Sequence, residues 1–186
     1  MNQNVLILKK KLKKLKLRTI FLILLVSISL SVYVLTSDIK LMNIGFQRNQ
    51  PQYIVPFSLE DLNGNIRNIS EWSEQRILIN FWATWCAPCR REMPMLQTLH
   101  LNQQEHGIQI IGIAVDQNEL ARDFINEYGI SFPILIGQSN AYEIMKGLGN
   151  TSLTLPYTLL VEPSGLITWY KNGEVTSQDL PMILGD

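Results

Sequence analysis

Cysteine and histidine are scarce in this chain of 186 residues, which contains two of each. The cysteines are Cys86 and Cys89, and the histidines are His100 and His106. A structural zinc site needs about four ligands, usually drawn from cysteine and histidine. Because there is no second cysteine pair, the sequence argues against zinc, and we expect neither a metal nor a cofactor.

Acidic residues are missing from the N-terminus, and charge of either sign is missing from the stretch after it. Residues 1–18 hold seven of the sixteen basic residues and no acid, and residues 19–37 carry no charge. At about 1.5 Å per residue, a helix of that length just spans a hydrocarbon core of about 30 Å. Basic residues before a span keep that end in the cytoplasm. We therefore expect a cytoplasmic basic segment over 1–18 and a single-pass transmembrane signal anchor over 19–37.

The apolar run is not followed by an A-x-A cleavage motif, and no cysteine near it is available for lipidation. A cleaved signal peptide has a shorter apolar core with such a motif after it. The sequence therefore favours an uncleaved anchor, with a cleaved signal peptide as the alternative. A nucleic-acid role for the lysine run is disfavoured because a span comes directly after it, so we expect no nucleic-acid partner.

The two cysteines form a C-x-x-C motif, Cys86-Ala-Pro-Cys89, between an apolar run and a helix-compatible stretch. Residues three apart on a helix share a face, at a separation that a disulfide can bridge. At a helix start, the first thiol faces free N–H groups and the positive end of the helix dipole, which favour the reactive thiolate. The motif indicates thiol–disulfide exchange, with Cys86 as nucleophile and Cys89 as resolving thiol. A purely structural disulfide is disfavoured, because so short a loop adds little stability.

Hydrophobic patterning predicts an α/β fold around this motif, with a central mixed β-sheet flanked by helices. Asn63-Gly64 between alternating apolar runs indicates a hairpin, and Ser70 is expected to cap a short helix through Trp72. Strands are expected over 76–83, 109–115, 132–136, 156–161 and 166–171, and helices over 86–105, 118–128, 141–148 and 177–184. The proline at 94 is expected to kink the first of these helices.

Two longer motifs, FWATWCAPCRREMP and, about seventy residues further on, LPYTLLVEPSG, resemble the thioredoxin superfamily. They are most similar to its membrane-anchored TlpA/ResA-like branch, which includes the DsbE/CcmG-related thioredoxins of cytochrome c maturation. The resemblance covers residue 55 to the C-terminus. It implies a thioredoxin fold with an N-terminal β-hairpin addition and an N-terminal transmembrane helix. The corresponding division is a linker over 38–55 and a thioredoxin-like domain over 56–186.

The resemblance also implies roles for residues around the cysteines. Trp85 corresponds to the tryptophan that walls the site. Pro156 matches the proline whose cis peptide bond faces the two sulfurs, and the backbone of Leu155 is then presented to an extended substrate. Pro94 matches a helix-kinking proline.

Asn80 stands where cytosolic thioredoxins carry a buried aspartate, while Glu92 matches a glutamate that this branch places three residues after the second cysteine. A carboxylate near both thiols raises their pKa and can exchange protons with them. We therefore expect Glu92 to act in catalysis. The alternative is a solvated glutamate paired with Arg90 or Arg91.

Ala87 and Pro88, between the cysteines, offer no charge and no side-chain hydrogen bond to a thiolate. Less thiolate stabilisation means a more reducing couple. The sequence therefore predicts a reductase of partner-protein disulfides on the periplasmic or other extracytoplasmic side of the cytoplasmic (inner) membrane. The family implies a membrane thiol donor of the CcdA/DsbD type and a role such as cytochrome c maturation.

Three other functions stay open. A copper-delivery carrier of thioredoxin fold is disfavoured because no histidine comes after His106. A thiol peroxidase would use a lone peroxidatic cysteine in a different context. A membrane-tethered adaptor whose thiols are incidental is the non-enzymatic alternative.

Overall fold

The computed structural model describes residues 24–33, 51–102 and 107–185. The chain divides into two compact units, Met1–Gln50 and Pro51–Asp186. In the first unit, residues 24–33 are helical with exposed side chains. Among the described residues, no helix has the length and apolar character needed to cross a membrane. The basic segment and the other residues of the expected anchor lie outside the described residues.

The second unit is built on a seven-stranded sheet with helices between and after the strands. The strands are β1 (Ser58–Asp61), β2 (Ile66–Asn68), β3 (Arg76–Trp82), β4 (Ile108–Ala114), β5 (Ile134–Ile136), β6 (Tyr157–Val161) and β7 (Ile167–Asn172). The helices are α1 (Ala87–Leu101), α2 (Asn118–Tyr128), α3 (Asn140–Gly147) and α4 (Leu180–Leu184), with a 3-10 helix at Ile69–Trp72.

The strand order is β2-β1-β5-β4-β3-β6-β7. β3, β4 and β5 are mutually parallel neighbours, while β6 and β7 add antiparallel strands on one side. The β1–β2 hairpin adds to the opposite edge through an antiparallel pairing of β1 with β5. The predicted mixed sheet and N-terminal hairpin are therefore confirmed.

Alternation along β3 sends side chains into two separate cores, because successive residues of a strand point to opposite faces. Leu78 and Trp82 lie in a core with buried residues of α1, α2 and α4. Ile79 and Phe81 lie in the other core, with buried residues of α3. Helices therefore cover both faces of the sheet, which accounts for the almost uninterrupted apolar character of β3.

Several predicted boundaries are wrong by one to three residues for local reasons. The 3-10 helix is capped by Asn68 rather than Ser70, because the Asn68 side chain accepts from Ser70 N–H and the Glu71 side chain accepts from Asn68 N–H. This reciprocal arrangement is a capping box. α4 begins only at Leu180, since Asp179 first closes a turn by accepting from Thr176 N–H at 2.7 Å.

The ends of two further elements also differ from prediction. α1 begins one residue later than predicted and continues through Pro94 to Leu101. The predicted end of this helix, at 103–105, lies outside the described residues. β5 starts at Ile134 rather than at Phe132.

Candidate active site

Cys86 and Cys89 form a disulfide at the start of α1, with their Cα atoms 5.2 Å apart. Cys86 is the N-cap of the helix, and its Sγ accepts a hydrogen bond from Cys89 N–H at 3.3 Å. Pro88 lies in the first turn, where a missing N–H costs no helical hydrogen bond. Cys86 is 5% exposed and Cys89 fully buried, so an incoming sulfur reaches Cys86 first.

The segment leading into Cys86 is held by an acidic residue that the sequence motifs did not single out. Asp116 is buried just beyond β4, and its Oδ2 accepts from both Thr84 N–H at 2.9 Å and Thr84 Oγ1 at 2.5 Å. Because β3 and β4 are parallel, their carboxyl ends reach the same edge of the sheet. An acid directly after the second buried strand was the available sequence signal.

The structure confirms the cis bond that the resemblance implied at Leu155–Pro156, and it places the Trp85 side chain on the surface. The Trp85 side chain is 64% exposed and directly precedes Cys86 in the chain. The peptide bond between Leu155 and Pro156 is cis. Leu155 is partly buried and packs against both cores, and Pro156 C=O accepts from Gly173 N–H at 2.9 Å. Substrate-binding roles for these three residues stay predictions.

Glu92 is a buried carboxyl group with two hydrogen-bond donors. Its side chain is 1% exposed. Oε1 accepts from Asn80 Nδ2 at 2.7 Å, and Oε2 accepts from Val175 N–H at 2.6 Å. The structure therefore brings Asn80 and Glu92, which no sequence pattern connected, into direct contact.

The expected alternative, a solvated Glu92 paired with a neighbouring arginine, is wrong. Arg90 donates to Tyr128 Oη at 2.9 Å, and Arg91 forms an ion pair with Glu174 at 2.5 Å. Both arginines are exposed on the outer side of α1, whereas Glu92 points into the protein.

Burial raises the pKa of Glu92 to about 7, against the lowering effect of the hydrogen bonds from Val175 and Asn80. Glu174 raises this pKa slightly further, and Lys171 lowers it. A carboxyl group that titrates near neutral pH can both take and return a proton under physiological conditions. The arrangement therefore suits acid–base work beside the cysteines.

Two residues in the hydrogen-bond network around Glu92, Val175 and Thr158, could not be found from sequence patterns. Val175 acts through its backbone N–H, which leaves no sequence signal. Thr158 is fully buried on β6, and its Oγ1 accepts from Asn80 Nδ2 at 2.9 Å. A threonine in a strand is common, so nothing in the sequence marked it.

Trp82 and His100 pack against phenylalanine rings in the protein interior. Trp82 is a fully buried core residue and packs on Phe124 with a ring-centroid separation of 5.1 Å. His100 is partly buried in the last turn of α1 and edge-on to Phe132 at 6.0 Å. His106 lies outside the described residues. Within the described ranges, no cluster of three or more His, Cys, Asp or Glu side chains could hold a metal ion.

Comparisons with known proteins identify similar sequences and folds. The AhpC/TSA family matches residues 52–170. The thiol-disulfide oxidoreductase ResA of Bacillus thuringiensis (strain Al Hakam) is 30% identical over 145 residues, which cover 77% of this chain and 78% of that protein.

Two solved structures share the fold. A thioredoxin-family thiol:disulfide interchange protein from Chlorobium tepidum TLS has a TM-score of 0.64 at 22% identity, covering 73% of this chain and 95% of its own. StoA from Bacillus subtilis has a TM-score of 0.57 at 24% identity, covering 71% and 97%. At these identities the two structures support the thioredoxin-like fold alone.

Proposed function

Given that this chain belongs to the AhpC/TSA family and is a thiol-disulfide oxidoreductase of thioredoxin-like fold, we propose that it reduces disulfides of partner proteins outside the cytoplasmic membrane. The observation that carries this proposal is the Cys86–Cys89 disulfide at the N-terminus of α1, with no polar side chain between the two cysteines. Without a charge or side-chain hydrogen bond from Ala87 or Pro88, the thiolate gains little stabilisation, which favours a reducing couple.

The reaction transfers two electrons from the protein to its client. The Cys86 thiolate attacks one sulfur of the client disulfide, forming a mixed disulfide and releasing the other client sulfur as a thiolate. Cys89 loses its proton and attacks Cys86 Sγ, which releases the second client sulfur. The client leaves with two thiols, and the protein is left with the disulfide seen in the structure.

Glu92 is proposed to handle the proton in the second step. It lies one turn after Cys89 on the same helix, where residues three apart are neighbours. As a carboxylate it can accept the Cys89 proton, and as an acid it can return a proton when the dithiol is regenerated. Burial, which brings the pKa of Glu92 to about 7, makes both forms available near neutral pH.

The oxidised protein then needs two electrons and two protons from a donor. We propose a membrane thiol donor of the CcdA/DsbD type, as the TlpA/ResA-like resemblance implies, together with anchoring through 19–37. The apolar stretch of this segment after a basic run supports the anchor.

The direction of electron flow is tested by redox titration of the purified protein. We expect a reduction potential well below the value of about −120 mV typical of the strongest oxidants in this fold. Ala87→Lys is the matched comparison, because a cation next to the Cys86 thiolate stabilises the reduced form and raises the potential. A wild-type potential near −120 mV would overturn the reductase proposal.

The client is proposed to be a protein disulfide, with apocytochrome c as the specific candidate. In cells, Cys89→Ala should accumulate a mixed disulfide on Cys86, because the resolving thiol is missing. The double variant Cys86→Ala/Cys89→Ala should trap nothing. Trapped species that never include a c-type cytochrome would exclude cytochrome c maturation and leave the general reductase activity.

A further inference from the structure

Three buried side chains from three elements meet behind the active-site helix. Asn80 on β3 and Thr158 on β6 are directly opposite residues of an antiparallel pair. Asn80 Nδ2 donates both to Thr158 Oγ1 at 2.9 Å and to Glu92 Oε1 on α1 at 2.7 Å. All three residues are at most 1% exposed, so solvent does not readily replace a lost hydrogen bond.

This arrangement matches the ionised form of Glu92. A carboxylate only accepts hydrogen bonds, and each of its oxygens faces a donor, Asn80 Nδ2 or Val175 N–H. The oxygen of the same amide, Asn80 Oδ1, is buried and has no hydrogen-bond partner among the described residues. A buried acceptor without a partner is uncommon and costly.

The neutral acid requires a different arrangement. The neutral acid carries a proton on one carboxyl oxygen of Glu92, and neither group that contacts those oxygens, Asn80 Nδ2 or Val175 N–H, can accept it. The Val175 N–H belongs to the backbone and cannot become an acceptor. The Asn80 amide can, because turning it over places Oδ1 where Nδ2 was, and the two ends are nearly equal in size. Oδ1 would then accept from both the Glu92 acid and the Thr158 hydroxyl.

We infer that Asn80 is a positioning residue whose side-chain amide turns over with the proton of Glu92. When Glu92 is a carboxylate, Asn80 Nδ2 faces it and also donates to the Thr158 hydroxyl. When Glu92 is the neutral acid, Asn80 Oδ1 faces it and also accepts from the Thr158 hydroxyl. The inference deepens the proposed function, since it gives the buried proton carrier a partner suited to both of its states. An aspartate at this position has no N–H, so it could donate to the carboxylate only by carrying the shared proton itself.

Lys171 on β7 and Glu174 in the loop after it act on Glu92 electrostatically in opposite directions. Arg91, next to Glu92 in α1, is occupied by its ion pair with Glu174. β3 and β6 contribute the uncharged side chains of Asn80, which donates to Glu92, and Thr158, which accepts from Asn80.

The test is an NMR pH titration of the oxidised full-length chain in mild detergent, where the disulfide prevents any thiol from titrating. The Glu92 carboxyl carbon reports its proton, and the Asn80 Nδ2 resonances report the amide. Above the Glu92 midpoint we expect cross-relaxation between the Nδ2 protons and the Thr158 side chain. Below the midpoint this signal should be lost with the same midpoint. A signal that persists unchanged while Glu92 titrates overturns the inference.

Two variants sharpen the result. Glu92→Gln can donate permanently to Oδ1, so the Asn80 amide should keep its turned orientation at every pH. Asn80→Ala removes a hydrogen bond from both forms of Glu92. The bond to the carboxylate is the stronger of the two because its acceptor is charged, so the Glu92 midpoint should rise by about one pH unit, a tenfold change in proton affinity. A midpoint that stays at the wild-type value would contradict the direct contact.

This experiment needs no client and no electron donor. If the amide turns over but the potential is that of an oxidant, the proposed direction fails and the inference stands. If the potential is reducing but the amide never moves, the inference fails and the reductase proposal stands.

Discussion

For a single residue, Glu92, the free energy of ionisation is linked to folding. Its pKa in the folded protein is about 7, against 4.5 for the unperturbed group, and burial is the main cause. Below the unperturbed value the group is protonated in both the folded and the unfolded chain. As pH rises, the unfolded chain loses this proton first. The stabilising contribution is therefore complete at low pH and is lost as pH rises through the folded value.

Glu92→Gln should remove this pH dependence. Between pH 4.5 and pH 8, the free energy of unfolding of the wild type should fall by about 3 kcal/mol relative to that of the variant. Denaturant unfolding of the oxidised proteins at both pH values gives the difference. Contributions shared by both proteins cancel.

Glu74→Gln is the matched control for this prediction, because it removes the charge of an exposed glutamate. It separates the effect of burial from the loss of a glutamate charge as such. If the wild type and Glu92→Gln differ by the same amount at both pH values, burial does not hold Glu92 in its neutral form.

At the scale of strands and helices, β4 packs so closely against its neighbours that position 112 is occupied by a glycine. Gly112 pairs with Asn80 on β3 and with Ile134 on β5. A Cβ atom added there would lie 2.6 Å from Ile134 Cδ1 and 3.1 Å from Trp82 Nε1. The first distance is well inside van der Waals contact, so the buried Ile134 side chain would have to move within a packed core.

Gly112→Ala should therefore destabilise the protein by about 1–3 kcal/mol, as overpacking of a core does. Gly147→Ala is the matched comparison in α3, because outside the adjoining helix backbone nothing described lies within 4 Å of the added Cβ. It should be neutral or stabilising by about 0.4–1 kcal/mol, through lower entropy of the unfolded chain. Denaturation midpoints measure both, and a Gly112→Ala protein as stable as the wild type would contradict the packing argument.

Across the whole molecule, charge is divided sharply along the chain. Residues 1–18 contain seven of the sixteen basic residues, so the remainder has nine basic and sixteen acidic residues and a net charge of −7. Such a basic end before an uncharged run favours retention of the N-terminus in the cytoplasm and export of the chain beyond the run.

The anchoring proposal predicts that the full-length chain stays in the membrane pellet after alkaline washing of cell fractions. Its reduced Cys86 should react with a membrane-impermeant thiol reagent added to intact spheroplasts. A chain lacking 1–50 should fractionate with the cytosol and be protected from the reagent. A shortened product of the full-length gene in the soluble fraction would instead indicate a cleaved signal peptide.

The thiol chemistry and most of the fold could be predicted from the amino-acid sequence. Both cysteines lie in one C-x-x-C segment between an apolar run and a helical one, and the structure has a disulfide there at the start of α1. The α2 boundaries and the β1–β2 hairpin were predictable because side-chain periodicity and turn residues are local properties. The cis peptide before Pro156 followed from the resemblance alone, since an X-Pro bond is usually trans.

The surroundings of Glu92, in contrast, depend on how distant elements pack together. Its partners Asn80 and Val175 are 12 and 83 residues away in the chain, and Thr158 is 78 residues from Asn80. Local patterns report periodicity and caps, whereas burial and hydrogen bonding require the full set of neighbours. The sheet pairs β3 with β6, which brings Asn80 and Thr158 together. α1 packs against the sheet and carries Glu92, and the loop after β7 supplies the Val175 N–H that donates to it. That packing removes Glu92 from water, and the loss of solvation raises the pKa of its carboxyl group to about 7.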